Sequence, residues 1–199
     1  MTRAASLLLA AALLLGGCAS ESTRVAEYLD PQTAVTIRAL AEPLIYAHDA
    51  PQLAANTRDY LSLGVVEVNN MGARKHYLAV VSWTTIDRKR VGVSPAPVPE
   101  RIEIAFGGKE REWQPVTHEP RSLGIGDTLF RPPSGYAGEA WYAVTPAELR
   151  ALAATPPQAI ALLDESGGTR YLPWSGAAAA LSEFVRDIPD TSTSEPRRP

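Results

Sequence analysis

Apolar and polar positions alternate along much of the chain with the period of two that is typical of β-strands. The two longest such segments cover residues 60–69 and 75–86, and the turn-forming residues 70–74 join them. This arrangement predicts an antiparallel hairpin. In the middle of the second segment the apolar run Tyr-Leu-Ala-Val-Val replaces the alternation. We therefore expect that strand to be central in a sheet and covered on both faces.

Shorter segments of the same kind predict further hairpins. Residues 101–106 and 109–116 form one hairpin, connected by Gly107 and Gly108, and residues 158–164 and 169–174 form another. The remaining predicted elements are strands at 34–40, 44–48 and 140–144, a short strand at 128–131 and a helical turn over 50–58.

Two short helices are predicted near the C-terminus. Thr145, Pro146 and Glu148 match the capping-box pattern, which predicts a helix that continues to about residue 153. Ser175 stands where it can cap a second helix over residues 176–186, whose apolar side chains fall on one face.

Together these elements predict a single domain over residues 25–188 of the mainly β (α+β) class. We expect an antiparallel β-sandwich-like or strongly curved sheet with the two short helices at its C-terminal end. Strands do not alternate with long helices in the pattern, which argues against a parallel α/β sheet. Residues 189–199 lack apolar side chains other than proline and predict a disordered tail.

Composition narrows the class of protein further. The 199 residues are 45% hydrophobic and 21% charged, which excludes collagen-like, coiled-coil and wholly disordered chains. The formal net charge is −3, so no concentrated basic face is expected and no nucleic-acid partner is predicted.

The N-terminus has the composition of a processing segment. Arg3 precedes the apolar residues 4–15, which as a helix would span about 18 Å, well short of the roughly 30 Å hydrocarbon core of a bilayer. The run ends in Leu15-Gly16-Gly17-Cys18, which resembles the lipobox of bacterial lipoproteins.

That resemblance implies cleavage before Cys18, removal of residues 1–17 as a signal peptide, and a thioether-linked lipid on the cysteine. Residues 18–24 would then form a short tether to the membrane. In that family a residue other than aspartate after the cysteine, here Ala19, favours the inner leaflet of the outer membrane. We therefore expect a lipid-anchored envelope protein that faces the periplasm. The layout of the domain is similar to that of proteobacterial envelope lipoproteins, a likeness that transfers no functional residue.

Local motifs predict no catalytic residue, no metal site and no cofactor. His48, His76 and His118 do not share the i, i+2 or i, i+4 spacing that places two imidazoles on one face. The chain also has no Gly-x-Ser-x-Gly element in a strand-to-helix context, and lipidation of Cys18, its one cysteine, would leave no free thiol. A hydrolase site assembled from distant segments stays open, and it would need a histidine within hydrogen-bond reach of a serine or carboxylate in a pocket.

Aromatic residues beside the long loop 117–138 are the candidate contact surface for a partner. Exposed tryptophan, tyrosine and arginine are typical of binding hot spots. The candidate contact residues are Trp113, Arg121, Arg131, Tyr136 and Trp141. The alternative is that the aromatics cap the open end of the sandwich, and Tyr77 and Trp83 are expected in the core. A loop of this length is typically functional or poorly ordered.

The mixed-charge residues 87–90 are expected to form a solvated loop, with contact to anionic lipid headgroups as the alternative. The sequence as a whole favours a non-catalytic binding or assembly module whose partners are the membrane, through Cys18, and an envelope protein or glycan. A periplasmic hydrolase and a carrier of a small apolar ligand remain as alternatives, and the carrier would need a cavity between sheet layers.

Overall fold

The computed structural model describes residues 24–51, 56–90, 92, 97–106, 108–134, 137–164, 167–176 and 178–189. The predicted signal peptide (residues 1–17), Cys18, Tyr136 and the predicted tail beyond residue 189 lie outside this part of the chain. Within it there are ten strands, one 3-10 turn and two α-helices. They are β1 (Val25–Leu29), β2 (Thr36–Leu40), β3 (Leu44–Asp49), β4 (Arg58–Asn70), β5 (Ala73–Thr84), β6 (Arg101–Phe106), β7 (Lys109–Trp113), the 3-10 turn Pro120–Leu123, β8 (Ala137–Val144), α1 (Pro146–Ala154), β9 (Ile160–Asp164), β10 (Gly167–Ser175) and α2 (Ala179–Arg186).

The strands form one antiparallel sheet with β4 at its centre. Along one edge β4 pairs with β5 over twelve residue pairs, and along the other it pairs with β3 and then β2. β8 continues the sheet beyond β5, and β1 continues it beyond β2. On the far side of β3 the order is β10, β9, β6 and β7. The mainly antiparallel β class with two helices near the C-terminus is therefore confirmed.

β10 connects the two halves of the sheet. Residues 167–171 pair with β9, and residues 172–175 pair with β3, with a register irregularity between Pro173 and Ser175. Leu63 and Tyr142 from one half share a hydrophobic core with Ile102 and Ile160 from the other half. A strand that serves two sheet regions in this way lets the layers pack face to face.

The predicted β4–β5 hairpin is confirmed, with a tighter turn than the sequence pattern indicated. Met71 and Gly72 both have positive φ, of 52° and 95°, which is the signature of a two-residue type I′ turn. The Gly72 N–H donates to Asn69 Oδ1 at 2.8 Å. The hairpins β6–β7 and β9–β10 are also present, as predicted.

The long connection after β7 covers the outer face of the β4–β5 hairpin. We call residues 117–134 the covering loop. Its Ile125 and Phe130 are buried, and Phe130 lies directly over Gly64 in the middle of β4. Asp30 anchors this loop, since its Oδ2 accepts the Gly126 N–H at 2.7 Å. The predicted strand over residues 128–131 is wrong, because none of these residues is in a strand; Leu129 and Phe130 form bends, and Phe130 packs against the sheet.

The two helices follow the prediction in part. Thr145 and Glu148 form the expected capping box at the start of α1. The prediction that Ser175 caps the second helix is wrong, because Ser175 pairs with Ile45 at the end of β10. α2 begins four residues later and has no side-chain cap at Ala178.

Other local expectations need similar correction. Residues 25–29, for which the sequence pattern predicts no element, form the edge strand β1. The predicted helical turn over 50–58 falls mainly on residues 52–55, which lie outside the described part of the chain, and Arg58 already belongs to β4. No helix in the described ranges is long and apolar enough to cross a membrane.

Candidate functional site

Two of the predicted contact residues are core residues. Trp113 is 5% exposed and Trp141 is fully buried, so the expectation that they form an exposed surface is wrong. Trp113 pairs with Ile102 and points into the core. Trp141 faces the outer side of β8, where the start of the covering loop and the residue before it bind the strand. The Val116 N–H donates to Trp141 O, and the Trp141 N–H donates to Thr117 O. Tyr77 packs edge-on against Trp141.

The predicted arginines are exposed but are not joined to these aromatics. Arg131 pairs with Asp127 of its own loop at 2.7 Å, and Arg121 lies in the 3-10 turn. Tyr136 falls outside the described residues. The prediction that Tyr77 and Trp83 belong to the core is confirmed, since both are buried.

The segment 87–90 is only partly the solvated loop that was expected. Lys89 and Arg90 are exposed, but Arg88 is mostly buried and forms an ion pair with Asp59. The guanidinium of Arg88 is therefore held by the fold.

The three histidines lie in different parts of the fold. His48 Nδ1 lies 3.0 Å from Arg170 O, and His118 Nδ1 lies 2.9 Å from Glu139 O. Both therefore contact backbone carbonyls at the surface. Within the described ranges no three metal-ligating side chains come together. His76 differs, since it is buried and its Nε2 lies 2.9 Å from Glu67 Oε2.

His76 lines a cavity of about 380 Å³ at the end of β5 and β8, which we call the His76 cavity. Its walls are mainly apolar, and its mouth carries two cationic side chains. The lining residues are Arg74, Lys75, His76, Tyr77, Ala143, Val144, Thr145, Pro146, Ile188 and Pro189. A volume of this size is within the range of small-molecule sites.

The Glu67 carboxylate organises the polar side of this cavity. The hydrogen bond from His76 is the main cause that holds the pKa of Glu67 below its ordinary value, and the positive charges of Arg74 and Arg38 add to it. Burial acts in the opposite direction. Arg74 reaches Glu67 Oε1 at 3.3 Å. With Nε2 bonded to Glu67, Nδ1 of His76 has no hydrogen bond to a described residue.

Arg38 connects this cluster to α2. It donates from Nη1 to Phe184 O and from Nη2 to Asp187 Oδ2, each at 2.8 Å, while its guanidinium lies 4.5 Å from the Phe184 ring centre. The residues after α2, which form one wall of the His76 cavity, are thereby held on the sheet.

Sequence reasoning treated His76 as isolated and missed its partner. Glu67 lies four residues before Met71, and His76 lies four residues after Gly72, so the two face each other across the hairpin. The two-residue turn is the signal that would have revealed the pair. A five-residue connection, as predicted, does not define this register.

A second cavity of about 380 Å³ lies between β1, β2 and the covering loop. Tyr28, Asp30 and Asp127 line it, and burial, followed by the two carboxylates, raises the pKa of Tyr28. The Asp30 carboxylate is occupied by backbone N–H groups, with that of Gly126 as the main cause of its lowered pKa. This cluster is explained by its role in holding the loop.

One exposed aromatic cluster is present on the outer face of β3, β4 and β10. Trp174 and Leu172 are each 54% exposed. Tyr60 lies beside Trp174 and stacks on Trp83 at 4.2 Å between ring centres. Arg58 lies 4.7 Å from the Trp174 ring centre. We call Arg58, Tyr60, Leu172 and Trp174 the Trp174 patch.

Comparison of the chain with protein-family models, with curated proteins and with solved structures found no match.

Proposed function

We propose that this chain is a lipid-anchored protein of the bacterial cell envelope and that its domain is a non-catalytic binding module facing the periplasm. The lipobox-like residues 15–18 support the anchor, and the preceding apolar run is too short to span a bilayer as a helix. Two or more acyl chains give stable attachment, because each buried methylene contributes about 0.8 kcal/mol. An envelope protein or glycan partner belongs to this proposal as well.

The anchor is tested by replacing its attachment point. Mass spectrometry of the mature protein should show the diacylglycerol adduct on Cys18, and the protein should fractionate with membranes. Cys18→Ser should remain unprocessed and lose the adduct. A Cys18→Ser protein that matures and fractionates like the parent contradicts the proposal.

The observation that carries the binding function is the His76 cavity. His76 is only 7% exposed, and the cost of burying its ring is offset by the bond to Glu67. Its Nδ1 is left available at the wall of an apolar space. Arg74 and Lys75 at the mouth add positive charge, and no ion pair joins Lys75 to a described residue.

These features fit a small anion that carries an apolar group, such as a medium-chain carboxylate. The apolar stem would lie against Val144 and Ile188, and the anionic head would meet Lys75 and Arg74. Burial of the stem would supply most of the affinity, at about 25 cal/mol per Å² of apolar surface removed from water.

The probe for this site is a photoreactive decanoate that carries a diazirine, added to membranes holding the lipidated protein. Labelled peptides containing Val144 or Ile188 are expected, with weaker labelling by the methyl ester. A phosphate monoester of the same chain length distinguishes a carboxylate ligand from a phosphate one.

A cavity-filling variant makes this test specific. Ala143 is exposed at the cavity mouth, so Ala143→Trp should lower labelling by about tenfold, equivalent to 1.4 kcal/mol, without disturbing the core. Ala105→Trp, at an exposed strand position away from the cavity, is the matched control and should label like the parent. Equal labelling of both variants would overturn the assignment of the cavity.

The His76–Glu67 pair also favours a second candidate function, a hydrolase that activates water. A carboxylate that orients an imidazole is the arrangement of a general base. Thr145, the one aliphatic hydroxyl residue among the described residues that line the cavity, is already bonded to Glu148 in the capping box. Hydrolysis of p-nitrophenyl octanoate that is lost in His76→Gln would favour the hydrolase, and photolabelling without turnover favours the binding module.

A further inference from the structure

The Trp174 patch has the composition of a membrane-interface contact. Trp174 and Leu172 expose large apolar surfaces, and Arg58 lies on the face of the Trp174 ring. Tryptophan and tyrosine favour the boundary between lipid and water because one end of each ring is apolar and the other is polar. Arginine supplies a partner for lipid phosphates.

The chain enters the fold at β1, level with the middle of β4, and the Trp174 patch lies towards the start of β4. Arg24 O accepts the Ala41 N–H at 2.8 Å, and Leu44 starts β3 three residues later. Gly176 packs against Leu44, since a Cβ on Gly176 would lie 2.9 Å from Leu44 Cα. Trp174 is two residues from Gly176. Along these contacts Arg24 and Trp174 are separated by no more than about 30 Å.

This position is within reach of the anchor. The six residues from Ala19 to Arg24 extend to about 20 Å at most, so a lipidated Cys18 would hold Arg24 and the neighbouring part of the sheet close to the bilayer. The outer side of β10 also presents Arg170 next to Leu172, since the intervening Tyr171 points inward. The acidic side chain of Asp49, beside the patch, is paired with Arg58 at 2.8 Å.

We propose that the Trp174 patch rests on the surface of the membrane that holds the lipid anchor, with Trp174 and Leu172 at the level of the headgroups and Arg58 and Arg170 beside the phosphates. This inference rests on the proposed lipid anchor. Docking of this kind fixes the orientation of the domain, so that a protein held by one flexible tether presents a defined side to the periplasm. The His76 cavity, at the opposite end of β4, would then face away from the bilayer.

Fluorescence quenching by brominated lipids tests this contact. The lipidated full-length mature protein is reconstituted into vesicles of phosphatidylethanolamine and phosphatidylglycerol, with and without bromine on carbons 6 and 7 of the acyl chains. Trp174 is one tryptophan of four, and the other three are buried in the fold. Up to about a quarter of the emission should therefore be quenched, since quenching by bromine requires contact.

Two conservative variants assign the signal. Trp174→Phe should abolish the quenchable fraction, whereas Trp113→Phe should retain it. Trp113 suits the control because its Nε1 is buried without a hydrogen-bond partner, so phenylalanine removes no hydrogen bond. Equal quenching of these two variants would overturn the proposal.

A second pair of variants keeps tryptophan unchanged. Leu172→Glu should reduce quenching at least twofold, because the carboxylate is repelled by anionic lipid, and Val116→Glu at another exposed site should not.

Flotation of the vesicles separates the two proposals. Protein that floats without quenching contradicts the docking alone, and protein that does not float contradicts both the anchor and the docking. A protein partner could also be captured from vesicles in which Trp174 is unquenched. If that capture depends on Trp174, the occupant of the patch is a protein and the membrane contact is overturned.

Discussion

Replacing Gly64 with alanine should displace the covering loop from the sheet. Gly64 lies in the middle of β4, opposite Ala79, and its missing side chain leaves the space that the Phe130 ring occupies. An added Cβ would lie 2.0 Å from Cε2, 2.4 Å from Cζ and 2.6 Å from Cδ2 of that ring. Since carbon atoms pack at about 3.5–4.0 Å, the ring would have to retreat by about 1.5 Å.

The expected cost follows from this displacement. Gly64 does not have a positive φ, so alanine adds no backbone strain and the destabilising effect comes from the clash. Overpacking of a well-packed core costs about 1–3 kcal/mol. Complete loss of the Phe130 contacts, as in Phe130→Ala, sets a ceiling of about 3–5 kcal/mol. We expect Gly64→Ala to lower the free energy of unfolding by about 1–3 kcal/mol.

The assay is urea unfolding followed by circular dichroism for a double-mutant cycle. With a slope of about 2 kcal/mol per molar urea, the midpoint should fall by about 1 M in Gly64→Ala. Once Phe130 is alanine the ring no longer obstructs the new methyl group. The double variant Gly64→Ala/Phe130→Ala should therefore be more stable than the sum of the two single effects predicts, by at least 1 kcal/mol.

Two outcomes would refute this reasoning. A neutral Gly64→Ala substitution would mean that Phe130 does not lie on β4 in solution. Single effects that add within about 0.5 kcal/mol would mean that the two residues are not in contact.

Three further predictions concern charge and capping. The pKa of Glu67 is lowered mainly by the hydrogen bond from His76, so its contribution is present above the ordinary glutamate value of about 4.3 and is lost as the pH falls through the lowered pKa. Glu67→Gln should therefore be less stable than the parent at pH 7, and thermal unfolding should show this difference narrowing below pH 4. Burial raises the pKa of Glu139, so its contribution is favourable below pH 4.3 and is lost as the pH rises through the raised pKa. Glu139→Gln should consequently be more stable than the parent at pH 7 and equal to it at pH 4, and equal melting temperatures at both pH values would contradict this. Thr145→Ala removes the cap of α1 and should cost about 1 kcal/mol in urea unfolding, while Thr145→Ser, which keeps the oxygen, should cost less.

Features that depend on near neighbours in the chain were predicted well. The capping box joins residues three apart, so Thr145 and Glu148 define the start of α1 without reference to the rest of the fold. The hairpins have the same local character, because alternation in two adjacent segments and a turn between them are sufficient to pair them.

Features that depend on distant packing were predicted poorly. Trp113 and Trp141 stand in strands beside loops, where a large aromatic side chain is as compatible with the surface as with the core. The second half of the sheet buries one, and the covering loop buries the other. Ser175 is a good capping residue, yet pairing with Ile45 extends β10 through it.

The candidate site shows the same division. Arg74, Lys75 and the turn-forming residues stand in the sequence, but the partner of His76 is defined only once the turn is known to consist of Met71 and Gly72 alone. The cavity itself needs Ile188 and Pro189, which lie more than a hundred residues away and are held there through Arg38 and α2.

The sequence by itself determined the mainly antiparallel class of the domain, the hairpins and the first helix, because period-two alternation, turn residues and capping act over a few residues. Only the tertiary structure decided which aromatic side chains are exposed, what the long loop does and where the cavities lie. Whether a strand face is a surface or an interior depends on what packs against it. What packs against β4 and β5 is a loop some fifty residues further along the chain. No local pattern encodes the contacts of this loop at Gly64.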